Sequence, residues 1–473
     1  MTDTLSRPAG ASAAASDRST APADGRTGVA RDSSVDAIRV ALLVVVFGLH
    51  AMMFGVSTGP DGPVLQNALE GQAWFGPVSW VVQIMPLFFI AGGFSSYHHW
   101  RSMRAKGATP SDYVRSRIVR LVRPAIAVVA VVASGLVLLR MAGLPEDLVA
   151  TAGFRIGQPL WFLGVYLVTS ALVPIMVRAH ERARLLTPVA LLAAVVAVDV
   201  MRLSTGVDAI GLLNLVLVWL LVQQLGFHLA DGGLDRFGPR ALWGMAGAAL
   251  GVLAALTVAG PYPVDMYENL NPPNVTLVVL GGAQLALFQL ARPRIRAWVD
   301  RADASGPIAA VGERAMTVYL WHMPVLVALA GLSLAANATF GTPLPEPLAV
   351  EWWATRPLWL AAGAAAVVPV VLVFARFERG RRRGGGDAAS VIATAVDTVA
   401  AVAGVATLLV AGFGPVPALV ALALLTLALV GSARVLSAAV RLVGRPRSAR
   451  PDDRSDAQMH FPASAIWASD GRP

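Results

Sequence analysis

Long apolar segments, separated by short polar or charged connections, fill the chain from about residue 35 to residue 437. A helix rises about 1.5 Å per residue, so about 20 apolar residues cross the hydrocarbon core of a bilayer. Twelve segments approach that length, over 35–56, 78–99, 121–140, 159–178, 186–203, 209–230, 240–259, 274–292, 306–333, 356–376, 389–411 and 415–437. The pattern predicts an all-α fold, a polytopic membrane helix bundle.

The connections between these segments alternate in charge. The connection over 99–123 holds six arginines and one lysine, whereas the connection over 57–77 holds two acidic residues and no Lys or Arg. Basic connections face the cytoplasm in multi-pass proteins. We therefore expect a plasma-membrane protein whose two termini both lie in the cytoplasm.

Composition agrees with this class of protein. The chain is 56% hydrophobic and 14% charged, against about 25% charged residues in soluble domains. Its net charge of +9 comes largely from the cytoplasmic connections, so we expect lipid and not nucleic acid as a partner. The absence of cysteine excludes disulfides and thiolate chemistry. No zinc-binding or nucleotide-binding motif is present, and we expect no metal.

Five regions follow from the pattern. Residues 1–33 lack an apolar core and are expected to form a disordered cytoplasmic tail, as are the polar residues 438–473. Residues 34–378 form a ten-helix membrane core, and a Gly/Arg linker over 379–388 follows it. The two additional transmembrane helices over 389–437 carry few polar residues, so we interpret them as an appendage that packs or oligomerises. The oligomeric state stays open.

The first apolar segment has an arginine, Arg39, near its N-terminal end and a histidine, His50, within it. Arg39 and His50 are eleven residues apart, which places them on one helix face within about 20°. His50 then lies about 16 Å deeper, near the middle of the bilayer. Ionisable groups at that depth usually face a polar interior and mark a site. The pair predicts a site entered from one membrane face, with a bound anion at the helix end and a buried base beyond it.

His322 is the second histidine predicted inside a span. If the ninth span begins near residue 306, His322 lies about as deep as His50, and the two rings could share a cavity. Alternatively, each ring hydrogen-bonds a neighbouring helix. The remaining histidines lie at span ends, in loops or in the tail, where a structural or interfacial role is expected: His98, His99, His180, His228 and His460.

Arginines recur every three residues at the start of the third span. Arg117, Arg120 and Arg123 would form one slowly drifting stripe on a helix. Such a stripe is typical of a positive-inside anchor. Guanidinium forks also bind phosphate oxygens in pairs, so with Arg39 at the same face the stripe could hold a polyphosphate.

Further motifs occur in the second, fourth and ninth spans. Pro86 and the glycine pair before Phe94 suggest a kink or a close helix approach, with a lipid-facing aromatic cluster as the alternative. Together with the preceding features they occur in a fixed order: Asp36-x-x-Arg39 and His50, Pro86-Leu-Phe-Phe with Gly93-Phe94, Arg117/Arg120/Arg123-Pro124, Leu160-Trp161-Phe162-Leu163, and Tyr319-Leu-Trp-His322. This order resembles acyltransferase family 3, over about residues 34–377. The family often has Ser-Gly-Phe where this chain has Gly92-Gly93-Phe94.

The resemblance implies a membrane acyltransferase with a cytoplasmic acyl-CoA donor, acetyl-CoA first of all. The acceptor would be a hydroxyl of an extracytoplasmic carbohydrate or glycolipid. The implied roles are CoA binding by Arg39, Arg117, Arg120 and Arg123, general base catalysis by His50, and oxyanion stabilisation by His322 or Tyr319.

A transporter or exporter is the alternative function. Arg39 and His50 would then line a substrate or proton path, and twelve spans are common among transporters. No internal repeat relates the two halves of the chain, and the first ten spans lack a central carboxylate, both of which argue against transport.

Overall fold

The computed structural model describes residues 32–59, 62–378 and 390–432. The predicted tail up to residue 31, the linker over 379–388 and the tail over 438–473 lie outside these residues. The described helices are α1 Ser33–Met53, α2 Phe75–Val82, α3 Met85–Ala105, α4 Pro110–Met141, α5 Glu146–Gly157, α6 Leu160–Arg182, α7 Leu186–Thr205, α8 Asn214–Ala230, α9 Pro239–Ala254, α10 Val275–Arg301, α11 Ser305–Gly312, α12 Ala315–Phe340, α13 Val350–Phe374, α14 Val391–Ala411 and α15 Pro415–Val430.

Within the described ranges, eleven helical stretches are long and apolar enough to cross a membrane. The predicted all-α, multi-pass bundle is therefore confirmed. The exception to the twelve predicted spans is the last, because α15 has 16 residues and is about 24 Å long. The predicted end of that span, at residue 437, lies outside the described residues.

A short antiparallel hairpin follows α1. Strand β1 is Phe54–Gly59, strand β2 is Gly62–Asn67, and Phe54 pairs with Asn67. We call this end of the bundle the hairpin end. The opposite end, where α1 begins and where α3 and α6 finish among arginines, is the basic end.

At the basic end, Asp32 anchors the start of α1. Its carboxylate accepts hydrogen bonds from Arg292 and Arg296 of α10, each at 2.5 Å, and from the backbone N–H of Ser34 at 3.0 Å. Burial alone would raise the pKa of Asp32, but the hydrogen bonds from Arg296, Ser34 and Arg292 outweigh it and hold the pKa well below its usual range. The start of α1 is thus tied to a neighbouring helix.

The second predicted span is broken. Helices α2 and α3 separate at Gln83 and Ile84, and Pro86 lies in the first turn of α3. Backbone groups freed inside a membrane need partners. Gln284 of α10 supplies them, because its amide oxygen accepts from the Leu87 N–H at 3.0 Å and its amide nitrogen donates to the Gln83 carbonyl at 2.8 Å. The predicted kink is present, as a break.

The glycine pair of α3 allows a close helix approach, as predicted. A Cβ on Gly93 would lie 2.4 Å from the carbonyl oxygen of Gln223, and a Cβ on Gly226 would lie 2.2 Å from the carbonyl oxygen of Ile90. Only glycine at both positions lets α3 and α8 pack backbone to backbone. The alternative of a lipid-facing aromatic cluster does not hold for Phe89, which is buried and stacks on Trp219.

Two predicted helix starts were wrong. The third span begins at Pro110 and not near 121, because Thr109 and Asp112 form a capping box. The ninth begins at Ala315, after the separate short helix α11, and not near 306. The arginine stripe therefore lies inside α4, and His322 lies about two turns inside α12.

The C-terminal pair α14 and α15 packs against α4 and α6 with small and branched side chains such as Ala401, Val405 and Leu425. Arg115 of α4 donates to Asp397 of α14 at 3.2 Å and to the last carbonyls of α15. The interpretation of this pair as a packing element agrees with these contacts.

Candidate active site

The two histidines predicted at one depth touch each other. His50 Nδ1 lies 2.8 Å from His322 Nε2, and the two ring planes are inclined by 26° with centroids 5.0 Å apart. His322 is 1% exposed. The crossing of α1 and α12 thus builds a histidine dyad, consisting of His50 and His322, inside the bundle.

Hydrogen bonds order the protons of this dyad. His322 Nδ1 lies 2.5 Å from the backbone carbonyl oxygen of Tyr319, which can only accept, so Nδ1 carries a proton. In the neutral ring, Nε2 is then the acceptor, and the Nδ1–H of His50 donates to it. Neutral His50 is left with an unprotonated Nε2. This nitrogen is the group of the dyad that can accept a proton.

The Tyr319 hydroxyl is occupied. It donates to the backbone carbonyl of Pro159, the residue before α6. The ring of Tyr319 packs edge-on against Phe162 of α6, with centroids 5.0 Å apart. Tyr319 therefore joins α12 to α6 beside the dyad.

Two adjoining cavities lead from the basic end toward the dyad. The wider one, which we call the vestibule, has a volume of about 510 Å³ and reaches Asp32, His98 and Glu313. The inner chamber has a volume of about 110 Å³ and apolar walls that include Leu43 and Phe162. The two cavities share the lining residues Arg39, Phe88, Ser95, Arg117, Arg120 and Ala315.

The junction of the two cavities is cationic. Arg39, Arg117 and Arg120 line both, and none of the three forms an ion pair with a carboxylate among the residues the structure describes. Arg117 also lies over the ring of Tyr113, at 5.2 Å. Three guanidinium groups at the neck of a cavity, none of them in an ion pair within the described ranges, are suited to an anionic ligand.

Arg123, the third arginine of the predicted stripe, lines neither cavity. A step of three residues turns a helix by about 300°, so each step drifts about 60° backward. Two steps carry Arg123 about 120° away from Arg117. The structure therefore reduces the predicted set at the cavity to Arg39, Arg117 and Arg120.

The dyad lies about one helical turn beyond the inner chamber. Val46 and Tyr319 line the chamber, whereas His50 and His322 follow them by four and three residues. One turn of a helix is about 5.4 Å long. A ligand that fills the chamber therefore ends close to the dyad.

Glu378 is a site residue that the sequence reasoning missed. Its buried carboxylate lines the inner chamber and accepts from the N–H of Thr317 at 3.1 Å and from its hydroxyl at 2.7 Å. It also accepts from the Met316 N–H, so it caps the start of α12. A carboxylate directly before the Gly/Arg run, at the expected end of the tenth span, was the available signal.

A separate cluster could hold a metal ion by distance alone. His180, His228 and Asp231 bring three ligand atoms within 4.8 Å of one another. However, His180 bonds the Gln224 amide oxygen at 3.0 Å and Asp231 at 2.9 Å, through its two ring nitrogens. Asp231 also accepts from Arg184 at 2.6 Å. The cluster is thus an internally paired network at the basic ends of α6 and α8, apart from the dyad.

Comparison with protein families matches residues 32–376 to the acyltransferase domain of acyltransferase family 3. The chain belongs to acyltransferase family 3. The matched region holds the dyad and the cationic neck, and it ends before α14. Membership of acyltransferase family 3 and the helix bundle together identify a membrane acyltransferase. Neither curated proteins nor solved structures gave a significant match.

Proposed function

We propose that this protein transfers an acyl group, acetyl first of all, from acyl-CoA to a hydroxyl of a carbohydrate or glycolipid on the opposite side of the plasma membrane. The cationic neck carries the proposal. Arg39, Arg117 and Arg120 face a cavity that opens at the basic end and finishes about one turn from the histidine dyad. An anionic carrier with a long uncharged arm fits this arrangement, in which a cationic neck leads into an apolar chamber.

The donor would enter from the basic end. The phosphates of CoA would bind the guanidinium groups at the neck, where charge-assisted hydrogen bonds are strongest. The pantetheine arm would lie along the apolar inner chamber and bring the thioester toward His50, about 16 Å beyond Arg39. The positive-inside rule assigns the basic end to the cytoplasm, which contains acyl-CoA.

His50 is the general base in this proposal. The acceptor oxygen attacks the thioester carbon while His50 Nε2 removes the hydroxyl proton. The carbon–sulfur bond then breaks, and the CoA thiolate that leaves receives this proton from His50. Proton transfer of this kind contributes about 10²- to 10⁴-fold to a rate.

His322 is a positioning residue in this mechanism. Its Nε2 accepts a hydrogen bond from the Nδ1–H of His50. This bond leaves His50 Nε2 as the nitrogen that accepts the proton, and it stabilises the imidazolium that forms. Its own N–H and the hydroxyl of Tyr319 are both donated to backbone carbonyls. We therefore propose this role for His322 instead of the oxyanion-stabilising role suggested by the family resemblance.

Radiolabelled acetyl-CoA tests the proposal. Membranes carrying wild-type protein, His50→Ala or Val44→Ala would be incubated with a cell-envelope extract, and label transfer to carbohydrate would be measured. Val44 is the matched control, because it lies on α1, is 63% exposed and lines neither cavity. Label that requires His50 but not Val44 supports the proposal. Equal transfer by His50→Ala refutes it, and absence of both transfer and CoA binding with several acyl-CoAs favours a transporter.

A further inference from the structure

A buried arginine lies at the hairpin end of α13, close to where α1 ends. Arg356 is 9% exposed, and it forms no ion pair with a carboxylate within the described ranges. Its guanidinium lies between two indole rings, 4.3 Å from the centre of Trp352 and 5.2 Å from that of Trp359. Burying a cation inside a membrane protein is costly, so such a residue usually has a function.

The contacts of Arg356 and Trp359 converge on the end of α1. Arg356 Nη1 donates to the carbonyl of Phe54 at 3.3 Å, and Trp359 Nε1 donates to the carbonyl of Ala51 at 3.0 Å. The last carbonyls of a helix have no partner within it, and a cation there also opposes the negative end of the helix dipole. Ala51 directly follows His50. The two donors thus hold the turn that carries the base.

We propose that Arg356, assisted by Trp359, is a positioning residue that fixes the ring of His50 against His322. The inference rests on the proposed acyltransferase function. Glu378, which follows shortly after the end of α13, caps the start of the α12 that carries His322. Helix α13 and the residues that directly follow it therefore contact one end of each helix that forms the dyad.

Kinetics of label transfer test this inference. We expect Arg356→Met to lower kcat by about tenfold or more with the KM for acetyl-CoA unchanged within about twofold, because a displacement near 1 Å of a catalytic group can cost about 10²-fold. Arg356→Lys keeps a donor and should recover part of the loss. Leu358→Ala, on the same helix and 75% exposed, is the control and should behave as wild type.

Hydrogen exchange of residues 50–56 provides a readout that does not need activity. Exchange should accelerate in Arg356→Met, but not in Leu358→Ala, while peptides from α4 stay unchanged. Wild-type kcat, or unchanged exchange over 50–56, in Arg356→Met would overturn the inference. Equal losses in the Met and Lys variants, with faster exchange throughout the protein, would also overturn it. If the wild type transfers no label, the proposed function fails, and exchange alone decides whether Arg356 holds α1.

Discussion

The substitution His322→Leu removes the ring nitrogen that accepts a hydrogen bond from His50. In His322→Leu, the Nδ1–H of His50 loses the nitrogen that lies 2.8 Å away, and the imidazolium loses a hydrogen-bond partner. A hydrogen bond to a charged group contributes about 1.5–3 kcal/mol. At about 1.4 kcal/mol for each factor of ten, kcat should fall by about 10- to 150-fold.

His322→Gln is the matched variant. A glutamine amide oxygen can occupy the place of Nε2 and accept the same proton, so this variant should retain more activity than His322→Leu. Initial rates of label transfer would be measured at saturating acetyl-CoA, with the KM for acetyl-CoA and the melting temperature determined alongside. The KM should stay within about twofold in both variants, because His322 lines neither cavity. A His322→Leu enzyme with wild-type kcat, or a glutamine variant as slow as the leucine variant, would refute the proposed proton order.

Three further predictions follow from the geometry. Arg117→Ala should raise the dissociation constant for CoA by about tenfold or more, whereas Arg123→Ala should change it less than about twofold, as measured by equilibrium binding; equal effects would contradict the cavity assignment. Gly93→Ala should lower the yield of folded protein sharply, as measured by size-exclusion profiles, because its Cβ would lie 2.4 Å from a carbonyl oxygen of α8. The control Gly92→Ala should fold, because the nearest atom to its Cβ is 3.5 Å away. Deleting residues from 379 onward should lower the melting temperature and leave label transfer measurable; complete loss of transfer by folded protein would refute this.

Features that depend on one helix were predictable from the sequence. The spacing of Arg39 and His50 fixes their shared face through helix geometry alone. The same geometry places Arg123 about 120° around the helix from Arg117, because six residues at about 100° each separate them. Counting this angle in the sequence would have excluded Arg123 from the face of Arg117. Helix starts were less predictable, because the third span has its cap at Thr109, within a charged connection.

Features that depend on distant residues were not predictable. The depth of His322 suggested a shared cavity, but its contact with His50 joins residues 272 positions apart. Arg356 reaches the carbonyl of Phe54, 302 positions away, and Glu378 caps a helix that starts 63 residues earlier. Several of their partners are backbone groups, namely the carbonyl of Phe54 and the N–H groups of Met316 and Thr317, and such groups have no side-chain signature in a sequence. Only the packing of α13 against α1 and α12 brings these groups together.

Transfer across a sealed membrane tests the central claim most directly. Inverted vesicles expose the cytoplasmic face, so in the proposed orientation radiolabelled acetyl-CoA added outside reaches the cationic neck, while envelope glycans are enclosed in the lumen. We expect labelled lumenal glycans with wild-type protein and none with His50→Ala. Equal lumenal label in both, or label that forms only when acetyl-CoA is enclosed with the glycans, would contradict the account.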